Sequence, residues 1–157
     1  MKPLVALCLI LAAAPAGAGP VDDILAEAEK DCASFENGLL TVGPGAVTEA
    51  ELTGEGTPET VVDWSAFQCS TMASAWGGTG GSLLTVVAGG VRHDFLTLGW
   101  TVADLGGPVL VLALHGSECG GSGVDRCAEA LVWSGGRFLS VRSPAPPEED
   151  AGEGAAP

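Results

Sequence analysis

The sequence predicts an α+β protein that is mainly antiparallel β, a small sandwich or partly closed barrel with one N-terminal helix. Two observations predict this class. A single stretch near the start has helical apolar spacing, and the chain after it consists of strand-length apolar runs separated by glycine-rich turns. Four cysteines downstream of the first 18 residues add two expected disulfides.

The first 18 residues have the layout of a secretory signal peptide. Lys2 is followed by an apolar run over residues 4–14, and Ala16-Gly17-Ala18 supplies a small-residue cleavage site. The run is shorter than the roughly 20 residues that span a bilayer, so no membrane insertion is expected after cleavage. We therefore expect a soluble periplasmic or secreted protein.

Three regions follow from this layout. Residues 1–18 are the predicted signal peptide, and residues 19–142 are predicted to form one disulfide-stapled, β-rich domain. Residues 143–157 are rich in Pro, Ala and Glu and contain no large apolar side chain. Because such a segment cannot bury enough apolar surface to fold, a disordered acidic tail is expected.

Residues 21–35 are predicted to form an amphipathic helix. Asp22 and Asp23 place negative charge at the positive end of its dipole, and Asn37 and Gly38 are suited to ending it. The apolar stripe consists of Val21, Ile24, Leu25, Ala28, Cys32 and Phe35.

The remaining apolar runs are predicted to be β-strands. The paired glycines at 89–90 and 135–136 favour hairpins, because glycine reaches the positive φ that tight turns need. Residues 109–114 are apolar at every position, which predicts a central strand covered on both faces. The predicted strands are residues 39–42, 46–52, 60–65, 83–88, 91–98, 100–104, 109–115, 128–133 and 137–142.

The four cysteines of the exported chain are Cys32, Cys69, Cys119 and Cys127. Three pairings are formally possible, and the sequence alone does not choose among them. We favour Cys119 with Cys127 and Cys32 with Cys69. A thiol catalyst or a zinc site is the alternative, but neither pair has C-x-x-C spacing and an exported thiol is usually oxidised.

The chain is strongly acidic, with a net charge of −14 from 20 acidic and 6 basic residues. Such a surface repels nucleic acid and anionic lipid, because phosphate contacts require clustered Lys and Arg. It favours a basic partner or cations, and it also keeps an exported protein soluble.

An acidic motif, Glu-Leu-Thr-Gly-Glu-Gly-Thr-Pro-Glu, occupies residues 51–59 and precedes the run Thr-Val-Val-Asp-Trp. It resembles the calcium loops that precede a strand in FG-GAP-type proteins, and the whole segment resembles uncharacterised small exported proteins of alphaproteobacteria. The resemblance implies calcium ligands at Glu51, Thr53, Glu55 and Glu59, together with a fold and a compartment but no activity. Every expected Asp is a Glu here, so we favour the alternative of a β-turn that holds its shape without an ion.

Other candidate sites are few. His93 and Asp94 share a predicted strand and point to opposite faces, so they form no dyad. His115 lies at a strand end near Glu118 and Cys119, a weak metal site or a hydrogen-bonded structural residue. Trp76 lies in a glycine-rich loop, either available to a partner or folded back as a lid over the core.

No serine nucleophile elbow and no phosphate-binding loop is found. We therefore predict a non-enzymatic exported binding protein whose partner the sequence does not identify. An inhibitor-like protein is one version of this prediction, and a basic exported protein is the partner that the acidic charge favours. The loops at residues 70–82 and 116–126 are the predicted contact surfaces. The alternative is a calcium-stabilised or metal-dependent domain that uses residues 51–59.

Overall fold

The computed structural model describes residues 19–123 and 125–141. Within them, one α-helix packs on a sandwich of a five-stranded and a four-stranded antiparallel sheet, with a separate two-stranded sheet beside it. The sheets do not close into a barrel. The predicted fold class is confirmed. The predicted signal peptide and the predicted acidic tail lie outside the described residues.

Helix α1 spans Pro20–Ser34, one residue earlier than predicted at each end. Its N-terminus carries Pro20 in the first turn and a hydrogen bond from the Gly19 amide to the Asp22 carboxylate. The buried positions are Ile24, Ala28 and Cys32, which belong to the predicted stripe. Among the described helices, none is long and apolar enough to cross a membrane.

Sheet one lies against α1 and has the strand order β2-β3-β6-β5, with β7 also paired to β6. A further two-stranded ladder, β1 with β4, continues beside it. Between β3 and β4 the chain makes one 3₁₀ turn, Trp64–Ala66. The strands of these sheets are β1 (Leu40–Val42), β2 (Val47–Ala50), β3 (Glu59–Asp63), β4 (Phe67–Cys69), β5 (Gly77–Gly78), β6 (Gly81–Ala88) and β7 (Val91–Thr97).

Sheet two has the order β11-β10-β9-β8, and every neighbouring pair is antiparallel. A 3₁₀ helix, Gly116–Cys119, lies between β9 and β10. The two glycine-pair hairpins are present as predicted, β6–β7 and β10–β11. The strands are β8 (Gly99–Asp104), β9 (Pro108–Leu114), β10 (Cys127–Ser134) and β11 (Arg137–Ser140).

The main hydrophobic core lies between the two sheets. Alternate residues of β6 and β9 meet there, including Leu84, Val86, Leu110 and Leu112, each at most 2% exposed. His93 faces the same side and packs edge-on against the rings of Trp133 and Phe138, while the neighbouring Asp94 bonds Thr85. This interdigitation fixes the two sheets as a face-to-face pair.

A second core cluster fills the space between α1 and sheet one. Trp64, 3% exposed, packs there beside Ile24, Val62 and Phe67. Sheet one is therefore covered on both faces, by α1 on one side and by sheet two on the other.

A polar network ties α1 to sheet one. Thr85 Oγ1 accepts a hydrogen bond from Trp64 Nε1 at 3.0 Å and donates to Asp94 Oδ1 at 2.6 Å. Arg92 donates to both Asp94 and Glu27 of α1, and its guanidinium lies 5.6 Å from the centroid of the Trp64 ring. The hydrogen bond with Asp94 raises the pKa of the Arg92 guanidinium above its usual value, against an opposing effect of burial, and Glu27 adds to the rise.

Both favoured disulfides are present. Cys32 of α1 pairs with Cys69 of β4, and Cys119 pairs with Cys127 across the segment between β9 and β10. Gly38 passes close over the first bridge, because a Cβ there would lie 2.7 Å from the Cys69 sulfur. The two residues predicted to end the helix therefore have different roles. Asn37 takes the left-handed φ of 53°, and Gly38 leaves space for the disulfide.

The prediction of a strand covered on both faces is wrong for β9. Leu110, Leu112 and Leu114 face the core. On the opposite side Val109 is buried, but Val111 and Ala113 are only half-buried. The strand is central in sheet two, as predicted, yet no described layer covers the outer face of that sheet.

Candidate functional site

The acidic turn at residues 51–59 is built around the carboxylate of Glu59. Its Oε2 accepts hydrogen bonds from the amides of Leu52, at 2.7 Å, and Thr53, at 3.2 Å. Its Oε1 accepts from Thr53 Oγ1 at 2.8 Å, and the residue is 8% exposed. The carboxylate is thus used to satisfy the backbone of its own turn.

The other acids of the turn do not join Glu59. Glu51 Oε1 accepts from the Gly54 amide at 2.7 Å, and Glu55 is exposed. Over residues 19–123 and 125–141, no group of three or more His, Cys, Asp or Glu side chains is placed to hold a metal ion. The hydrogen bonds within the turn fit the favoured interpretation of a β-turn, and calcium binding by this motif stays a prediction.

The two histidines have structural surroundings. The ring of His93 lies among the aromatic side chains between the sheets. His115 Nδ1 lies 2.8 Å from Ser117 Oγ, and Cys119 beside it is consumed by its disulfide. His115 therefore has a serine hydroxyl beside it but no third residue placed to complete a metal site among the described residues, and His93 Nε2 is buried without a hydrogen-bond partner there.

Trp76 folds back toward the core. Its ring centroid lies 6.4 Å from that of Trp64 and 5.7 Å from that of Phe67, the latter edge-on. The side chain is half-buried against the cluster beneath α1. The lid interpretation of this residue fits the geometry, and a role for it in binding stays a prediction.

The outer face of sheet two is the most unusual surface of the described chain. Outward positions on an antiparallel sheet with one solvated face are normally polar. Here they are uncharged on β8, β9 and β10, and the one charged outward residue of β11 is Arg137, at its first position. We call this surface the open face: Gly99, Thr101, Ala103, Val111, Ala113, Ala128, Ala130, Val132 and Leu139.

Cross-strand register gives the open face its shape. Gly99, Ala113 and Ala128 lie side by side on β8, β9 and β10 and form a row without bulky side chains. The neighbouring row places Thr101 beside Val111. A shallow groove of about 250 Å³ follows these rows, and its lining is almost entirely apolar.

One end of the open face carries a protruding leucine. Leu105, at the β8–β9 turn, is 77% exposed. Asp104 holds the turn, since its Oδ1 accepts from the amides of Gly106 and Gly107 at 3.0 and 3.1 Å. A rigid turn that presents a large apolar side chain next to a carboxylate is a suitable anchor for a partner.

The open face is as large as a functional apolar patch on a monomer but smaller than a stable protein–protein interface. Four strands about 4.8 Å apart and about six residues long at ~3.3 Å per residue give a footprint of roughly 400 Å². This matches the largest apolar patch of a typical monomer, which is often functional. It is about half of the ~800 Å² per partner that a stable complex buries.

Sequence reasoning missed the open face because it treated residues 109–114 as buried on both sides. A signal was present: apart from Ser134, the outward positions of β8, β9 and β10 are all Gly, Ala, Val or Thr in a chain that is 17% charged. Only the register shows that these positions adjoin.

Comparison with known proteins gives no relative: no protein family, no curated protein and no solved structure matches this chain.

Proposed function

We propose that this protein is an exported, non-enzymatic interaction protein that docks a basic exported protein on its open face. The observation that carries the proposal is an uncharged, partly exposed four-stranded surface on a chain of net charge −14. The export step rests on the signal-peptide pattern, and the two disulfides support an oxidising compartment.

The charge of the chain favours a basic partner over a second copy. Cleavage after Ala18 would remove Lys2 and no acid, which makes the exported chain more acidic still. Two such copies repel each other, whereas a basic protein is attracted over long range. Local charges at the margin are mixed, with Asp104 at one end and Arg126 and Arg137 elsewhere, so the net charge provides the selection.

The size of the open face supports the same choice. A footprint of roughly 400 Å² is too small to hold a partner by apolar contact alone. Charged contacts around the margin of the open face would supply the rest of the binding free energy. Asp125 lies three residues before Ala128 of the open face, and hydrogen bonds from Ser122 lower the pKa of its carboxyl, which favours its charged form.

The residues after Val141 are a poor occupant for the open face. Residues 142–157 contain Pro, Ala and Gly but no large apolar side chain, and they carry four carboxylates. Burying them would gain little apolar contact and would bring charge onto an uncharged surface. An inhibitor of a basic exported enzyme is one form that the proposed partnership would take.

Site-specific photocrosslinking in the source cells identifies the occupant. A crosslinking residue at Ala130 on the open face is expected to give one adduct with a basic exported protein, and the same residue at Val47 on β2 is the control. Val47 is 40% exposed and lies on sheet one. An adduct with a second copy, an adduct within residues 142–157, or equal labelling from both positions would contradict the proposal.

Binding of the purified partner then tests the surface quantitatively. Val111→Lys is expected to raise the Kd at least about tenfold, because it places a charge in the centre of the apolar contact. Val47→Lys, the matched control, should change the Kd less than about twofold. Affinity should fall as salt rises from about 20 to about 200 mM, because screening weakens the attraction between opposite charges.

A further inference from the structure

A polar cleft lies between the two sheets at one end of the main core. We call it the end cleft, and its volume is about 200 Å³. It stands where β3 ends, where β6 begins and where the chain crosses from β7 to β8. Its lining residues are Asp63, Ser65, Gly77, Gly78, Gly81, Ser82, Thr97, Leu98 and Gly99.

Asp63 supplies the only charge among these lining residues. Its Oδ1 accepts from the amide and the hydroxyl of Ser65, at 3.0 and 2.6 Å, and its Oδ2 accepts from Trp100 Nε1 at 3.1 Å. These bonds fix the carboxylate and use three of its roughly four acceptor positions. The ion pairs seen in the described residues join Arg92 to Glu27 and Asp94, so Asp63 has no cationic partner among them.

Ser82 supplies the second observation. The residue is 8% exposed, and its hydroxyl has no hydrogen-bond partner among the described groups. Its register neighbours are Gly77 on one side and Thr97 on the other. A buried hydroxyl without a partner is costly, so this position is suited to a donor supplied from outside the chain.

The Ser82 hydroxyl oxygen is buried from solvent, so an occupant reaches it only if the short strand β5 moves aside. The glycines of β5 carry no side chain that would hinder this. A Cβ at Gly77 would lie 3.7 Å from the Ser82 Cβ and 4.0 Å from its Oγ. Any side chain at this position would therefore occupy the space above the hydroxyl. Gly78 and Gly99 likewise place no side chain in the cleft.

We propose that the end cleft binds a primary ammonium group. Such a group carries a positive charge for the Asp63 carboxylate and three N–H donors, one of which can satisfy Ser82 Oγ. An anion would meet the uncompensated carboxylate, and a metal ion would find a single acidic side chain among the described residues. The same chemistry is offered by a free alkylamine and by a lysine side chain, and the proposal does not rest on the open face.

Titration of the isolated protein with n-butylammonium tests this directly by two-dimensional ¹H–¹⁵N NMR. We expect saturable shifts of the Trp100 indole N–H and of the amides of Gly77, Gly78 and Gly99. n-Butanol and tetramethylammonium are the matched controls, since one lacks the charge and the other lacks N–H donors. Both should bind at least about tenfold more weakly.

Three variants assign the binding to the cleft. Asp63→Asn should weaken binding at least about tenfold, and Ser82→Ala about threefold or more. Gly77→Val should abolish binding by filling the cleft without touching Asp63, which keeps the test valid if Asp63→Asn fails to fold. Glu49→Gln and Ser134→Ala, at exposed positions outside the cleft, are the controls and should leave the affinity unchanged.

The two sources of the ammonium group are separated with a capped lysine, Nα-acetyl-lysine amide. Binding within about threefold of n-butylammonium supports a lysine side chain as occupant, whereas a loss of at least about tenfold supports a free amine. The proposal is overturned if no saturable shift is seen, which would leave the cleft to water alone. Equal binding of n-butanol, or unchanged binding by Asp63→Asn or by Gly77→Val, would overturn it as well.

Discussion

Glu59 matches a calcium ligand by its position in the sequence, but its side chain has a structural role in its own turn. Its position in the acidic motif is consistent with a calcium ligand, but its carboxylate accepts two backbone amides and one hydroxyl within the same turn. A glutamate reaches these donors because of its extra methylene, which is the feature that separates this turn from an aspartate-based loop. The same side chain therefore stabilises the entry into β3.

Replacing Glu59 with alanine should destabilise the protein by about 2 kcal/mol. The change leaves the Leu52 and Thr53 amides without their acceptor, and unsatisfied buried donors cost about 1–3 kcal/mol each before water enters. Urea unfolding followed by tryptophan fluorescence measures the change. Glu55→Ala, in the same turn but exposed, should stay within about 0.5 kcal/mol; a similar loss in both variants would contradict the proposed role of Glu59.

At the scale of elements, the sequence predicted the parts that depend on local pattern. Helix α1, the two glycine hairpins and the strands from β6 onward are found close to their predicted bounds. The 3₁₀ turn at Trp64–Ala66 and the short strand β4 were missed, because the predicted strand ran on to residue 65, inside the turn, and no element was predicted after it over β4. The chain turns there so that Trp64 enters the cluster beneath α1, which is a tertiary effect that strand periodicity does not contain.

The open face and the end cleft escaped prediction for a different reason. Both are made by residues that are distant in sequence and individually unremarkable, such as Gly99 and Ala128, or Asp63 and Ser82. Small and apolar side chains have no motif, so their meaning appears only when register brings them side by side. Cysteine pairing, unlike these two surfaces, could be predicted from the sequence, because only three pairings were possible. The favoured pairing is present.

The two disulfides should differ in how much they stabilise and where. Replacing Cys32 and Cys69 with alanine should cost about 4 kcal/mol and replacing Cys119 and Cys127 about 2.5 kcal/mol, because the first bridge closes the longer loop. The first bridge also fastens α1, so its loss should reduce hydrogen-exchange protection of the Ile24 and Ala28 amides. The second variant is the control for that measurement, and equal loss of α1 protection in both would show that the bridge does not hold the helix.

At the scale of the whole molecule, the two sheets differ in how they are covered. Sheet one is covered by α1 and by sheet two, whereas the outer face of sheet two has no covering layer among the described residues. Sheets with one apolar face normally bury it against another layer. The acidic charge of the rest of the chain favours a basic protein over a second copy as the layer that covers this face, because two acidic copies repel each other.

Salt should therefore act in opposite directions on the two kinds of association. At about 20 mM salt the protein should be a monomer, since copies of net charge −14 repel each other over a Debye length of roughly 20 Å. Raising the salt toward 1 M shortens that length to about 3 Å, which should permit weak self-association through the open face while weakening the complex with a basic partner. Sedimentation equilibrium measures the first effect, and Val111→Lys should remove it whereas Val47→Lys should not. Lowering the pH toward the isoelectric point near 4.1 removes the same repulsion between copies and should promote self-association at low salt.

A dimer that is stable at low salt and neutral pH would instead identify a second copy as the layer that covers the outer face of sheet two.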